Sequence, residues 1–254
     1  MSAGVLVERR ESVQVITINR PEVRNAIDES VAHAVAAAVD ELDADDDLRV
    51  AVITGAGGCF SSGMDLAAWQ RGEWPVVGDR GLCGITKSAP RKPVIAAVEG
   101  WALAGGFELM LACDLVVAGT TAKFGLPEVQ LSLVAGGGGA LLLPRRIPYA
   151  VAMEMLLTGD PIGGERAAAL GLITRAVPDG EAFQAALRLA DRIARNGPLA
   201  VAATKRIAGA SASWTYADGW SEQDSAWEPV MAAEDAREGV RSFLERRAPQ
   251  WTGR

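Results

Sequence analysis

The chain has 254 residues, of which 49% are hydrophobic and 22% charged, a composition that excludes a disordered or fibrous protein and favours one main globular domain with a small appendage. Its formal net charge of −7 argues against general binding to nucleic acid or to anionic membrane surfaces. It contains neither a signal-like N-terminal segment nor an apolar run approaching about 18 residues, so we expect a protein that is neither secreted nor membrane-spanning.

The first elements along the chain are a strand and an amphipathic helix. β-branched residues predict a strand over Val13–Ile18, which Pro21 ends because proline cannot continue a strand ladder. Asp28 is placed to cap a helix in which apolar residues recur at near-helical spacing, up to the acidic run 43–47. The order of these elements is strand, then helix.

Three further strands follow, with a short apolar helix before the last of them. The strands are predicted at residues 50–53, 94–98 and 115–117, and the helix at residues 105–113. Strands that alternate with helices indicate an α/β domain, in which ligand-binding residues follow the ends of strands.

The C-terminal part of the chain differs from the rest in its sequence pattern, because no strand is indicated after Asn196. We therefore expect a core domain over residues 1–196 and a helical region over 197–254, with helices at 199–208 and 234–247. This region is rich in tryptophan, which favours either a homo-oligomer interface or packing on the parent domain, with equal weight. The tryptophans are Trp214, Trp220, Trp227 and Trp251.

Cysteine and histidine usage limits the available chemistry. Cys59, Cys83 and Cys113 are isolated and odd in number, which suits a reducing compartment, so we expect a cytoplasmic protein. His33 is the only histidine, which argues against a multi-histidine metal site and against a Ser-His-Asp triad. We expect no metal, and carboxylates must carry any acid-base chemistry.

Two glycine-containing segments, residues 59–66 and 100–108, follow predicted strands and lead into predicted helices. Free N–H groups at a helix start carry partial positive charge, and two such starts could share one ligand oxygen. An oxygen that gains negative charge during a reaction is stabilised in such a place. This arrangement suits enolate chemistry.

Two glutamates are candidates for proton transfer. Glu108 lies about one helical turn after Gly105, inside an apolar helix where an unpaired charge is costly, which favours a functional role over a structural ion pair. Glu128 lies in a proline-containing loop before a helix, where a capping carboxylate is the structural alternative.

Several motifs together resemble the enoyl-CoA hydratase/isomerase, or crotonase, family. They run nearly from end to end: residues 18–26, 60–66, 102–109, 113–115, 124–128 and 243–247. The resemblance implies a core of stacked strand-strand-helix turns and a C-terminal helical region that assembles trimers, often paired into hexamers. It also implies a helix start near the active site at the glycine run 136–139, where the family more often has Pro-Gly-Ala-Gly-Gly.

The same resemblance assigns roles to particular residues. It implies that the backbone N–H groups of Met64 and Gly105 form an oxyanion hole and that Glu108 and Glu128 are catalytic. It further implies an acyl pocket lined by residues 69–85, which indicate no particular chain length. The residues implied in contacts with the substrate and its coenzyme A portion are Arg24, Ala26, Ser62, Asp65, Leu66 and Ala67.

The function implied is reversible hydration of a 2-enoyl-CoA to a 3-hydroxyacyl-CoA. Glu108 would accept a proton from water while Glu128 delivers one to the α-carbon, and we expect the two carboxyls to titrate as a coupled pair. Coenzyme A is then part of the substrate, no separate cofactor is needed, and the partners are an acyl-CoA thioester and copies of the chain. The alternatives are an enoyl-CoA isomerase, a related acyl-CoA dehydratase, or a non-catalytic acyl-CoA-binding subunit.

Overall fold

A computed structural model of the chain describes residues 3–254, and within them the strands form two sheets. The strands are β1 (Val5–Arg10), β2 (Val13–Ile18), β3 (Val50–Gly55), β4 (Val94–Val98), β5 (Trp101–Leu103), β6 (Leu115–Gly119), β7 (Lys123–Gly125), β8 (Ile162–Gly163) and β9 (Arg175–Val177).

The larger sheet has the order β1-β2-β3-β4-β6-β9. All neighbouring pairs are parallel except β1 and β2, which form an antiparallel pair. The central strands are apolar on both faces because both faces of a parallel sheet are covered by other elements. The predicted strands at 13–18, 50–53, 94–98 and 115–117 are all present, and they form the middle of this sheet.

Helices occupy both sides of the sheet and the end of the chain. They are α1 (Glu29–Ala44), α2 (Leu66–Gln70), α3 (Gly105–Leu111), α4 (Gly139–Arg146), α5 (Tyr149–Thr158), α6 (Gly164–Ala169), α7 (Ala182–Ala194), α8 (Pro198–Ala210), α9 (Tyr216–Ala232) and α10 (Glu234–Glu245). Short 3-10 helices occur at Pro21–Val23, Ala56–Gly58, Gly78–Arg80, Pro127–Leu131 and Ser211–Ser213.

Side-chain alternation along the strands separates two apolar clusters. Ile53 on β3 belongs to a large cluster that includes Val35 on α1 and Phe107 on α3. Val52, its neighbour in β3, belongs to a smaller cluster that includes Ala186 on α7. Successive residues of a strand point to opposite faces, so one strand contributes to both clusters. The large cluster therefore packs α3 against the central sheet.

The smaller sheet, β5-β7-β8, lies next to the segment that follows β3. Ser61 forms an isolated parallel bridge with Ala102 of β5, and Met64 forms one with Ile27. The first bridge brings the two glycine-containing segments of the sequence side by side, although about forty residues separate them in the chain, and the second ties Met64 to the segment before α1.

The C-terminal region is helical, and the described part of the chain has no strand after β9. The predicted helix at 234–247 ends earlier, at Glu245, because Arg246 adopts a left-handed conformation with φ of 54°. No bounds were predicted for helix α9, which lies within the region expected to be helical. Lys205 of α8 anchors the region to the core through an ion pair of 2.7 Å with Asp114. The division between residues 196 and 197 stays a prediction.

None of the helices formed by residues 3–254 combines the length and the apolar character needed to cross a membrane.

Candidate active site

A cavity of about 400 Å³ lies between α2, α3, the 3-10 helix Pro127–Leu131 and the loop that precedes α4. It brings together most of the residues to which the sequence assigns chemistry. The predicted residues that line it are Ser62, Met64, Leu66, Gly105, Glu108 and Glu128.

The Met64 amide is oriented by its own peptide unit. The carbonyl of Gly63 accepts a hydrogen bond of 2.8 Å from the N–H of Ile27. In a trans peptide the C=O and N–H point in opposite directions, so the N–H of Met64 points away from Ile27. Within residues 3–254 this N–H donates no hydrogen bond, and Met64 lines the cavity.

The Gly105 amide is the first of helix α3 and lies beside Met64. A Cβ built on Gly105 would be 3.4 Å from the Met64 nitrogen, which places the two backbone segments in contact. Ala104, the preceding residue, has φ of 50° and ψ of −128°, a conformation that costs a non-glycine residue on the order of 1–3 kcal/mol. This strained residue sets the start of α3, and the Gly105 N–H has no acceptor in the described part of the chain.

Glu108 is a buried carboxyl, with 5% of its surface exposed. Its Oε1 accepts a hydrogen bond of 2.9 Å from the N–H of Gly139, at the start of α4. Burial raises its pKa to about 7; the Gly139 amide opposes this shift, and the charge of Glu128 adds to it. Glu108 is therefore able to exchange a proton near neutral pH.

Glu128 also lines the cavity, from the 3-10 helix Pro127–Leu131. Its Oε2 is buried and has no hydrogen-bond partner among residues 3–254. Burial raises the pKa of Glu128 as well, so its acid form is populated to higher pH than that of an exposed glutamate. A buried, unpartnered carboxyl oxygen is costly to keep, which favours a ligand as its partner.

The cavity thus combines two free amide donors with two desolvated carboxyls. The donors suit an oxygen that acquires negative charge, and the carboxyls suit proton transfer on either side of a bound group. The described residues contain no cluster of three or more metal-ligating side chains.

Four of the predicted binding residues do not line the cavity. Arg24 lies outside, with its guanidinium 5.1 Å above the ring of Trp101. The Ala26 carbonyl accepts a hydrogen bond from Arg20. The other two are at the start of α2, where the Asp65 carboxylate accepts the Ala67 N–H and pairs with Arg20 at 3.0 Å. The sequence does not reveal this use of Asp65, because Arg20 is 45 positions away.

Two residues of the site were not identified from the sequence. Ser61 is fully buried, and its hydroxyl donates to the Asn25 carbonyl at 2.8 Å and accepts from the Gly63 N–H at 3.1 Å. Lys87 lines the cavity and forms no ion pair in the described part of the chain. Neither carries a sequence signal, since one depends on contacts with distant segments and the other lies in a loop of mixed composition.

Comparison with known proteins places the whole chain in one family. Residues 8–254 match the family model described as enoyl-CoA hydratase/isomerase. The chain is 42% identical to an enoyl-CoA hydratase of Mycobacterium tuberculosis over 98% of this chain and 96% of that protein. It is 41% identical to a carnitinyl-CoA dehydratase of Proteus mirabilis over the full length of both proteins.

Solved structures give the same result for the fold. A crystal structure of an enoyl-CoA hydratase from Mycobacterium tuberculosis superposes with a TM-score of 0.97 at 52% identity, and one of a probable enoyl-CoA hydratase/isomerase from Mycobacterium abscessus with 0.96 at 56%. Each superposition covers all of both chains. The predicted α/β, crotonase-like fold is confirmed.

Proposed function

Because this chain belongs to the enoyl-CoA hydratase/isomerase family, we propose that it is an acyl-CoA hydro-lyase that reversibly hydrates a 2-enoyl-CoA to a 3-hydroxyacyl-CoA. One observation carries the proposal: two free amides and two desolvated glutamates line the same cavity. Relatives named enoyl-CoA hydratase and carnitinyl-CoA dehydratase support the same class of reaction, addition or loss of water.

The amides of Met64 and Gly105 hold the thioester oxygen. Attack of water at the β-carbon moves charge through the conjugated system onto that oxygen, and donors that are already in place stabilise the resulting enolate. Loss of one such donor typically costs roughly a hundredfold to a thousandfold in rate.

Glu108 and Glu128 divide the proton transfers. Glu108 accepts a proton from the attacking water, a role supported by the Gly139 N–H that stabilises its ionised form. Glu128 delivers a proton to the α-carbon, a role supported by the buried, unpartnered Oε2 that keeps it protonated more easily. Because the pKa of Glu108 is about 7, activity should rise as the pH increases through that value.

The test is incubation of the protein with crotonyl-CoA, followed by mass spectrometry of the thioester. We expect a product heavier by one water, and a loss of kcat of at least about a hundredfold in Glu108→Gln and in Glu128→Gln. Conversion of a 3-enoyl-CoA without gain of water would identify an isomerase instead. No conversion, together with thermal stabilisation by coenzyme A, would identify a binding protein.

A further inference from the structure

Large apolar side chains are exposed around the cavity, although their neighbours in the fold are well packed. A substantial apolar surface left open to water marks a binding site. The exposed side chains among its lining residues are Leu66 at 45%, Trp69 at 36%, Trp74 at 56%, Val76 at 43%, Leu131 at 60% and Val134 at 77%.

Trp69 and Trp74 form the aromatic part of this surface. Their rings meet edge to face, with centroids 6.3 Å apart and planes at 89°. An aromatic pair in this favourable arrangement presents a broad apolar face. Both rings line the cavity that holds Glu108 and Glu128, so a molecule bound at that site has this apolar face within its reach.

Charges around the cavity disfavour a cationic occupant. Among residues 3–254, Lys87 is the only cationic side chain in the lining. Glu73, a carboxylate close in sequence to Trp74, accepts a hydrogen bond of 2.9 Å from Arg71 and is already neutralised. The two lining carboxyls are those assigned to proton transfer at the reacting carbons, so neither is a counter-charge for the far end of an acyl group. The other described residues of the lining include no carboxylate that could pair with a quaternary ammonium group there.

We propose, on the basis of the hydro-lyase function above, that the preferred substrate carries an uncharged apolar acyl group longer than four carbons, with Trp69 and Trp74 as specificity-determining residues. Burial of one methylene contributes about 0.8 kcal/mol, or roughly a fourfold factor in binding. With partial burial of four added methylenes, 2-octenoyl-CoA should exceed crotonyl-CoA in kcat/KM by about tenfold or more.

The test measures kcat/KM for crotonyl-CoA, 2-octenoyl-CoA and 4-trimethylammonio-2-butenoyl-CoA. We expect 2-octenoyl-CoA to be best and the cationic substrate to be worse than crotonyl-CoA. A preference for crotonyl-CoA or for the cationic substrate would overturn the inference and leave the hydro-lyase function intact. Failure to convert any of the three would instead contradict the hydro-lyase function.

Substitution of Trp74 tests the residue itself. In Trp74→Ala we expect the ratio of kcat/KM for 2-octenoyl-CoA to that for crotonyl-CoA to fall about fivefold or more. Trp227→Ala is the matched control, because its ring is 51% exposed and does not line the cavity, and it should keep the parent ratio. An unchanged ratio in Trp74→Ala, with a change of oligomeric state on size exclusion, would show that a second copy covers this wall.

Discussion

The hydroxyl of Ser61 connects two backbone segments on which the Met64 amide depends. It donates to the carbonyl of Asn25 and accepts from the N–H of Gly63, and the side chain has no exposed surface. The main chain of Ser61 also pairs with β5, since it donates to Trp101 and accepts from Leu103. Ser61 is therefore placed to position both amides of the site without touching a substrate.

We predict that Ser61→Ala lowers kcat about tenfold and leaves KM little changed, because a misplaced donor is lost mainly from the transition state. Thr54→Val is the control: the Thr54 hydroxyl donates to the Ala97 carbonyl at 3.0 Å within the central sheet, away from the cavity. The control should lose about 1 kcal/mol in the free energy of unfolding and keep its kcat. Equal losses of stability with kcat unchanged in both variants would assign Ser61 a purely structural role.

Single residues differ in how far their roles can be predicted from sequence. Glu108 is detectable because a charge inside an apolar helix is costly at any position in a fold. Ser61 is not detectable, since its importance lies in contacts with residues 36 positions away and with β5. The proposed role of Glu128 comes from the family resemblance, and it stays a prediction that the buried Oε2, unpartnered among the described residues, favours.

At the scale of elements, the glycine loop before α4 shapes the environment of Glu108. Gly139 donates to Glu108, and a Cβ added at Gly137 would collide with the Oε2 of the same carboxyl. A Cβ at Gly136 would approach nothing closer than 3.7 Å. The loop lacks the proline that is commoner in the family, yet its Gly139 amide still reaches the Glu108 carboxyl.

Gly137→Ala should therefore lower kcat at least tenfold, because the Glu108 carboxylate must move by several tenths of an ångström or more. Gly136→Ala, at the neighbouring position, should have a clearly smaller effect on kcat. Steady-state kinetics of both variants with one enoyl-CoA substrate, alongside their circular dichroism spectra, make the comparison. Similar kcat losses in the two variants would show that the contact between Gly137 and the Glu108 carboxyl does not determine kcat.

The elements themselves were predictable where one physical signal dominated. The buried parallel strands are runs of β-branched residues, and α1 begins at the Asp28 cap that the sequence indicates. Strand β1 was missed because, at the edge of the sheet, it is largely exposed and carries charged residues. The bounds of helix α9 were not predicted because Gly219 and Pro229 interrupt a weak apolar pattern. The smaller sheet has strands of two or three residues, too short for any periodicity.

For the whole molecule, the tryptophans of the C-terminal region include one that is packed and two that are exposed. Trp251 packs within its own chain, where it donates to the Arg195 carbonyl at 2.8 Å and contacts Gly239. Trp220 and Trp227 stay exposed at 56% and 51%. Exposed tryptophans at this density suit an interface between copies, and assembly as a trimer or hexamer stays a prediction.

The buried carboxyl of Glu108 affects the stability of the whole molecule in a pH-dependent way. Its pKa rises on folding from an ordinary value of 4.5 to about 7, so the folded state holds its proton more tightly than the unfolded state does. Below pH 4.5 the group is protonated in both states and has no effect. As pH increases from about 4.5 to 7, its ionisation costs the folded state on the order of 3 kcal/mol.

Glu108→Gln removes this cost, because the amide stays neutral at every pH and its oxygen can still accept the Gly139 N–H. We predict that the variant is catalytically impaired but more stable than the parent at pH 8, and that this advantage shrinks steadily towards pH 5. Urea unfolding of both proteins at several pH values across that range, with the protein concentration held fixed, measures the difference in their free energies of unfolding. A constant difference across the range would mean that Glu108 titrates like an exposed carboxyl, and the pH dependence proposed for the reaction would then have to come from another group.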